Sequence, residues 1–339
     1  MSEFIVEYGL FLAKTVTIVL GIIMLIGGIV LLASRGRKMD REHLEIKKIN
    51  EKYEAMANTI KAAIFSKDEL KKSLKAKKQL KKEETQQLKE TPAQRRKRIF
   101  IINFDGDIKA SPLSSLREEI TSILTVATPE DEVFLRLQSG GGLVHAYGLA
   151  ASQLMRIKDK KIPLTVCVDK VAASGGYMMA CVANRIIAAP FAIIGSIGVV
   201  AQLPNFHKLL KKHNIDFEQM TAGEFKRTIT MFGENTDKAR QKFQEELEDM
   251  QVLFKEFIQR HRPIVDINRI ATGEHWPASR AIELKLVDEL KTSDDYLMEN
   301  SLHKELFEVC YTIKQPLGAR MGWFIQNTLE KIFHTSPLP

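Results

Sequence analysis

The sequence predicts an α/β fold of βαβ units, preceded by one N-terminal transmembrane helix and a long charged helix. Two observations predict the βαβ units. From residue 99 onward, short apolar runs typical of buried strands alternate with helix-length amphipathic stretches, and glycine- or serine-containing turns follow several of the strands. A third observation, an uncharged run of 19 residues near the N-terminus, predicts the transmembrane helix.

The uncharged run extends from Thr15 to Ala33, about the length that a helix needs to cross the hydrocarbon core of a bilayer. Most flanking basic residues follow the run, whereas a secretory signal peptide carries them before a shorter apolar segment. We therefore expect a signal anchor, with a transmembrane helix over residues 15–34 after a short N-terminal flank, residues 1–14. The charge bias would keep the downstream side in the cytoplasm.

Residues 35–98 hold 21 Lys and Arg against 10 Asp and Glu. This excess is larger than the net charge of +8, so the remaining chain is slightly acidic and we expect no nucleic-acid partner. From Asp40 to Glu90 the pattern predicts a long polar helix with an apolar stripe at heptad spacing between Ile46 and Leu74. The stripe is typical of self-association or of docking on the body, and a solvated spacer helix is the alternative. We expect a basic helical tether that can form a coiled coil.

The folded body is predicted over residues 99–292, and a C-terminal extension with an amphipathic helix at 322–333 over residues 293–339. Three cysteines cannot all pair, so they do not indicate an oxidising compartment. No cofactor and no metal ion are expected. Within the body, strands are predicted at residues 99–104, 132–137, 162–168 and 185–189. Helices are predicted at residues 113–126, 144–157 and 236–262.

Ser174 is the first candidate for chemistry, because it lies between small residues where a predicted strand passes into a helix. The adjacent Gly175 and Gly176 allow another backbone or a bound peptide to approach the hydroxyl closely. The following helix would direct free N–H groups toward charge that forms there. A plain N-capping serine is the alternative.

A serine nucleophile needs a base to take its proton, and two residues compete for that role. His145 follows the glycine turn at residues 140–142, and a triad would also need a carboxylate such as Asp169. Lys226 stands beside Phe225, and a lysine taken out of water can act as a general base at neutral pH. The residues alone favour Lys226 over His145 as the base only slightly.

Three ordered blocks, Ala172–Tyr177, Gly195–Val199 and Ala222–Lys226, resemble the signature blocks of the signal peptide peptidase A family of membrane serine peptidases. The run Ala281–Glu289 is similar to that family's final block, and the resemblance covers about residues 99–290. The opening residues 7–14, the single catalytic unit and the basic tether resemble one branch of the family in particular.

The resemblance implies a role for each matching residue. Ser174 takes the position of the nucleophile, Lys226 that of the general base, and Ser196 that of a second serine that orients the lysine. Gly141 and Gly175 take the positions of the residues whose N–H groups stabilise the oxyanion.

The resemblance also implies a Clp protease/crotonase-like fold and homo-oligomers whose subunits line a shared, partly apolar chamber. Unstructured or hydrophobic peptides, such as signal-peptide remnants, are the implied substrates. It places the protein in the bacterial inner membrane and favours the periplasmic side for the catalytic domain, against the charge bias.

The sequence departs from the family pattern at Gly140, where a proline is usual, at Lys285, where a glycine is usual, and most of all over residues 227–235. Two alternatives to a peptidase stay open on the residues alone. One is a membrane scaffold that keeps the fold without catalysis, and the other is an acyl-CoA-handling crotonase-like enzyme.

Overall fold

The computed structural model of the chain describes residues 6–21, 42–66, 68–69 and 97–313. Leu44–Tyr311 form one compact unit, and the two terminal stretches of the chain form the other. In the terminal unit, residues 6–21 are helical and exposed. Across the described ranges no helix is long and apolar enough to span a bilayer, and residues 22–34 of the predicted transmembrane helix lie outside those ranges.

The central feature of the fold is a ten-stranded sheet. Its strands are β1 (Glu42–Lys48), β2 (Arg98–Gly106), β3 (Glu132–Ser139), β4 (Leu164–Val168), β5 (Val171–Ala173), β6 (Arg185–Ala188), β7 (Ile193–Gly195), β8 (His275–Pro277), β9 (Glu289–Leu290) and β10 (Glu305–Ile313). They lie in the order β1-β10-β2-β3-β4-β6-β9, while β5 pairs with β3 and β7, and β7 with β8. From β10 to β9 the pairs are parallel, and β8 is antiparallel to β7. The predicted α/β class with a largely parallel sheet is confirmed.

Helices cover the sheet and connect its strands. They are α1 (Ile49–Ile64), α2 (Leu113–Leu124), α3 (Val144–Asp159), α4 (Gly175–Ala180), α5 (His207–Lys212), α6 (Asp237–His261), α7 (Ile267–Ile270), α8 (Ala278–Ala281) and α9 (Ser293–Asn300). The helices predicted at 113–126, 144–157 and 236–262 are confirmed as α2, α3 and α6. Thr236 directly precedes α6 and caps its N-terminus, because the Thr236 side chain accepts the Ala239 N–H.

The central strands are buried on both faces, which is why they read as continuous apolar runs. Successive side chains of a strand point to opposite faces, so Val133 and Leu135 join one hydrophobic cluster and Phe134 joins another. Residues of α2, α3, α4 and α6 complete the first cluster, on the face that carries Ser174. Residues of α1 and α9 complete the second.

The long helix predicted from Asp40 is wrong at its start, because residues 42–48 form strand β1 beside β10. The polar-apolar alternation of this stretch suits a strand, and the edge of the sheet provides a partner for its backbone. Helix α1 then docks on the body through Ile49, which is buried, and through Asn50. The Asn50 amide donates to the carbonyl oxygens of Ser301 and Lys304 at 3.0 and 2.9 Å. The later stripe positions Met56 and Ile60 are exposed. Helix α1 ends at Ile64, and the backbone of Phe65 is extended, so the prediction of one continuous helix is wrong at this point as well. Residues 70–90 of the predicted helix lie outside the described residues.

The body also extends past residue 292, where the sequence suggested that it closes. Residues 293–300 form α9, and β10 inserts between β1 and β2 in the sheet. Local sequence patterns do not reveal this strand's position, because its partner β2 lies about two hundred residues earlier in the chain. The amphipathic helix predicted at 322–333 lies outside the described residues.

Candidate active site

Strand pairing brings Ser174 and Ser196 together. Strands β5 and β7 run in parallel with Ala173 opposite Gly195, so each serine follows its strand at the same level. The Ser174 N–H donates to the Gly195 carbonyl oxygen at 2.8 Å. Both serines have a positive φ, 52° and 50°, which is uncommon outside glycine and marks a backbone held by its surroundings. Both line one cavity of about 1240 Å³.

Ser174 occupies the N-cap position of α4, but its side chain makes no capping hydrogen bond. The N-capping alternative is therefore wrong for the hydroxyl, although the Ser174 carbonyl oxygen does accept the Met178 N–H at 3.0 Å. The sharp strand-to-helix turn leaves the hydroxyl at the cavity wall. This placement is the one that a nucleophile requires.

The two glycines after Ser174 are required by close packing. A Cβ on Gly175 would lie 2.5 Å from the Tyr147 ring, and one on Gly176 would lie 2.5 Å from the Ser139 carbonyl oxygen. No side chain fits at either place. The backbone at the start of α4 therefore lies directly against α3 and the end of β3.

The glycine turn after β3 lies against Ser174. Gly141 has a φ of 90°, and a Cβ there would lie 2.7 Å from the Gly175 nitrogen and 2.8 Å from Ser174 Cβ. The two residues predicted to stabilise the oxyanion are thus adjacent to each other and to Ser174. The Gly141 N–H donates to Ser139 Oγ at 3.0 Å.

Ser196 is held from the opposite side of the cavity. Its N–H donates to the Glu274 carbonyl oxygen at 2.6 Å, and the Gly273 N–H donates to the Ile197 carbonyl oxygen at 3.1 Å. The Gln251 amide on α6 also donates to the Ile197 carbonyl oxygen at 3.4 Å. Local sequence patterns do not reveal this support from α6, because Gln251 lies 54 residues after Ile197 in the chain.

The cavity walls are mainly apolar. Among the described residues that line it, Glu248 is the one that carries a charge. Residues on the apolar face of α6 form much of the wall, which the amphipathic pattern of that helix could have indicated. They are Leu247, Met250, Leu253, Phe254 and Phe257.

Lys226 lies apart from the other predicted site residues in the single chain. It is exposed and does not line the cavity. It belongs to residues 199–235, a segment between β7 and α6 that we call the arm, in which no residue is buried. Two residues before Lys226, Glu224 pairs with Lys238 of α6 at 2.5 Å, and the ring of the adjacent Phe225 lies 5.8 Å from the same ammonium group.

The competing triad is not assembled in the described structure. His145 is exposed on the first turn of α3 and does not line the cavity. Asp169 instead accepts the Ser293 N–H at 2.9 Å, at the start of α9. The structure therefore brings together Ser174, Ser196, Gly141 and Gly175, and neither candidate base.

Comparison with known proteins defines the class of protein to which this fold and site belong. The models of peptidase family S49 match residues 3–154 with the N-terminal region of the family and residues 156–306 with the peptidase region itself. The chain therefore belongs to peptidase family S49 and is a serine peptidase.

Individual relatives refine the class. "Probable protease SohB" of Haemophilus influenzae is 47% identical over 346 residues, covering 98% of this chain and 96% of its own length. The protein with the same name in Buchnera aphidicola subsp. Schlechtendalia chinensis is 48% identical over 303 residues, covering 87% of this chain and 99% of its own. The predicted resemblance to the SohB branch of the family is confirmed.

Proposed function

We propose that the chain is a membrane-anchored serine endopeptidase with a Ser/Lys dyad, built on a Clp protease/crotonase-like fold. The observation that carries the proposal is the placement of Ser174. Its hydroxyl has no capping bond and lies at the wall of a large apolar cavity, next to Ser196 and the backbone of Gly141 and Gly175.

In the proposed reaction, Ser174 Oγ attacks the peptide carbonyl carbon while Lys226 Nζ takes the hydroxyl proton. The N–H groups of Gly141 and Gly175 stabilise the negative oxygen of the tetrahedral intermediate. Collapse of the intermediate breaks the peptide bond, and Lys226 returns the proton to the leaving amine. Water then hydrolyses the acyl-enzyme by the same steps, and Ser196 orients the lysine throughout.

This mechanism requires the arm to bring Lys226 to Ser174. The protein is proposed to act as a homo-oligomer with a shared chamber, and packing of the arm within that assembly would supply the lysine and remove it from water. The exposure of Lys226 in the single chain, on an arm without a buried residue, supports this requirement, since a basic group in water is a poor general base at neutral pH.

The proposed substrates are unstructured or hydrophobic peptides, such as signal-peptide remnants. The apolar lining of the cavity and the close backbone approach at the glycines support an extended apolar chain beside Ser174. Residues 15–34 are proposed to anchor the protein in the bacterial inner membrane, with the catalytic domain on the periplasmic side.

The test uses the full-length protein in detergent with two unstructured peptides of equal length, one apolar and one polar. We expect the apolar peptide to be cleaved at the higher kcat/KM and the Ser174→Ala variant to cleave neither. Cleavage by Ser174→Ala near the wild-type rate would contradict the nucleophile. A wild-type protein that cleaves nothing, yet is folded and assembled, would favour the scaffold alternative.

A further inference from the structure

A chain of three hydrogen bonds holds the glycine turn beside Ser174. The Gly141 N–H donates to Ser139 Oγ at 3.0 Å, and Ser139 Oγ lies 2.5 Å from Tyr147 Oη. Tyr147 Oη lies 2.6 Å from the carbonyl oxygen of Asp107. Ser139 is 2% exposed and Tyr147 is fully buried, so bulk water does not compete for the bond between their two hydroxyl groups.

The Asp107 carbonyl oxygen fixes the direction of the whole chain. A carbonyl oxygen can only accept, so the Tyr147 hydroxyl donates its single hydrogen there. Ser139 must then donate its own hydrogen to Tyr147 Oη. The lone pairs of Ser139 Oγ are left for the Gly141 N–H, which is the bond observed.

Tyr147 also supports the second predicted oxyanion donor. Its ring packs directly on Gly175, where an added Cβ would lie 2.5 Å from Tyr147 Cγ. One buried tyrosine on α3 therefore contacts the backbone of Gly175 through its ring and reaches Gly141 through Ser139.

We propose that Ser139 and Tyr147 are positioning residues that fix the Gly141 amide for oxyanion binding. Residues 140–142 are three consecutive glycines, which have the greatest backbone freedom of any residues. An oxyanion donor accelerates the reaction only if its N–H is held in place beforehand. The bond to Ser139 holds the Gly141 peptide in place, and the developing oxyanion shares the same N–H hydrogen in a bifurcated bond. This inference rests on the proposed function.

The variant that tests the proposal is Tyr147→Phe, which keeps the ring on Gly175 and removes only the hydroxyl. The oxyanion forms only in the transition state, so kcat should fall about 10-fold while KM changes less than about 2-fold. Tyr177→Phe is the matched control. Tyr177 is also fully buried and donates to a carbonyl oxygen, that of Leu286 at 3.0 Å, but it has no bond to the glycine turn. The Tyr177→Phe variant should lose about as much stability as Tyr147→Phe and keep the wild-type kcat.

A second measurement reports the oxyanion directly. A peptide aldehyde adds to Ser174: a bond forms between Oγ and the carbonyl carbon, the carbonyl π bond breaks, and Lys226 takes the hydroxyl proton. The resulting oxygen anion is held by the N–H groups. In Tyr147→Phe the inhibition constant of the aldehyde should rise about 10-fold, while that of the matching alcohol, which forms no anion, should stay unchanged.

The double variant completes the test on the full-length protein. Ser139→Ala should also lower kcat, and adding Tyr147→Phe should lower it little further, because the two residues act as one chain. If Tyr147→Phe does not fold, Ser139→Ala decides the question alone. Equal kcat in Tyr147→Phe and Tyr177→Phe, or an unchanged or raised kcat in Ser139→Ala, would overturn the proposal. Failure of the proposed function looks different, since the wild-type protein would then show no Ser174-dependent hydrolysis.

Discussion

The surroundings of Ser174 and the arm that carries Lys226 are built in opposite ways. Around Ser174, the residues on either side are buried, the backbone is bonded to the neighbouring strand, and glycines allow elements to touch. The arm, residues 199–235, includes no buried residue. The backbone N–H of Lys226 donates to the carbonyl oxygen of Gly223, which also belongs to the arm, at 3.2 Å. The nucleophilic half of the proposed site is thus preformed by the fold, whereas the basic half depends on what the arm packs against.

The largest expected effect is the loss of hydrolysis when Lys226 on the arm is replaced. Lys226→Ala should lower hydrolysis about 10³-fold or more, because the two residues of the proposed dyad would act as a unit. Its free energy of unfolding should stay within about 0.5 kcal/mol of wild type, since the residue is exposed. Lys212→Ala, an exposed lysine on the same arm, is the control and should keep full activity. Hydrolysis by Lys226→Ala at the level of this control would remove the lysine from the mechanism.

Glycine substitutions compare the packing of the two regions. A Cβ on Gly176 would lie 2.5 Å from a backbone oxygen, so Gly176→Ala should cost more than about 3 kcal/mol of unfolding free energy. A Cβ added to Gly223 on the arm would lie 3.9 Å from its nearest neighbour, so there is space for it. The φ of Gly223 is 100°, however, which is unfavourable for a residue with a side chain. Gly223→Ala should therefore cost about 1 kcal/mol. Equal losses in urea unfolding would contradict the contrast between a packed site and a loose arm.

The body contains a buried ionisable side chain, that of Glu119, whereas no residue of the arm is buried. Glu119 on α2 is buried and accepts the Tyr311 N–H at 2.9 Å, and burial raises the pKa of its carboxyl group to about 7. A raised carboxyl pKa means that the folded state binds the proton more tightly, so its contribution to stability is lost as pH rises from about 4.5 through 7.

Glu119→Gln keeps the acceptor and removes the charge. At pH 8 it should raise the unfolding free energy by on the order of 2 kcal/mol relative to wild type, and at pH 4.5 the two proteins should match closely. Thermal or urea unfolding across this pH range measures the difference. A constant difference at every pH would show that the carboxyl group does not titrate as described.

The smallest effect is expected where the arm joins the body. Thr236 caps α6 by accepting the Ala239 N–H at 3.2 Å, and Thr236→Ala should cost about 1 kcal/mol. Thr236→Ser keeps the oxygen and should restore most of the loss. No recovery in the serine variant would assign the cost to the methyl group instead of the cap.

The central strands and long helices could be predicted from sequence because their signals are local. Runs such as Glu132–Leu137 are apolar enough to be buried on both faces, and α6 repeats its apolar residues at helical spacing. The sequence also pointed to Ser174 and Ser196, which the structure places side by side, although their roles stay predictions. Strand β1 was missed because Glu and Lys favour a helix locally, and its position depends on distant residues, as in the ion pair of Lys48 with Glu305. The bonds of Tyr147 were missed for the same reason, since its partner Asp107 is 40 residues away.

The most direct test of Ser174 as the proposed nucleophile is covalent labelling of the full-length protein with a fluorophosphonate, mapped by mass spectrometry of its peptides. A phosphonyl group should appear on Ser174 in the wild-type protein and in Tyr177→Phe, more slowly in Lys226→Ala, and not at all in Ser174→Ala. A label on another serine, or equal labelling in wild type and Ser174→Ala, would contradict the account.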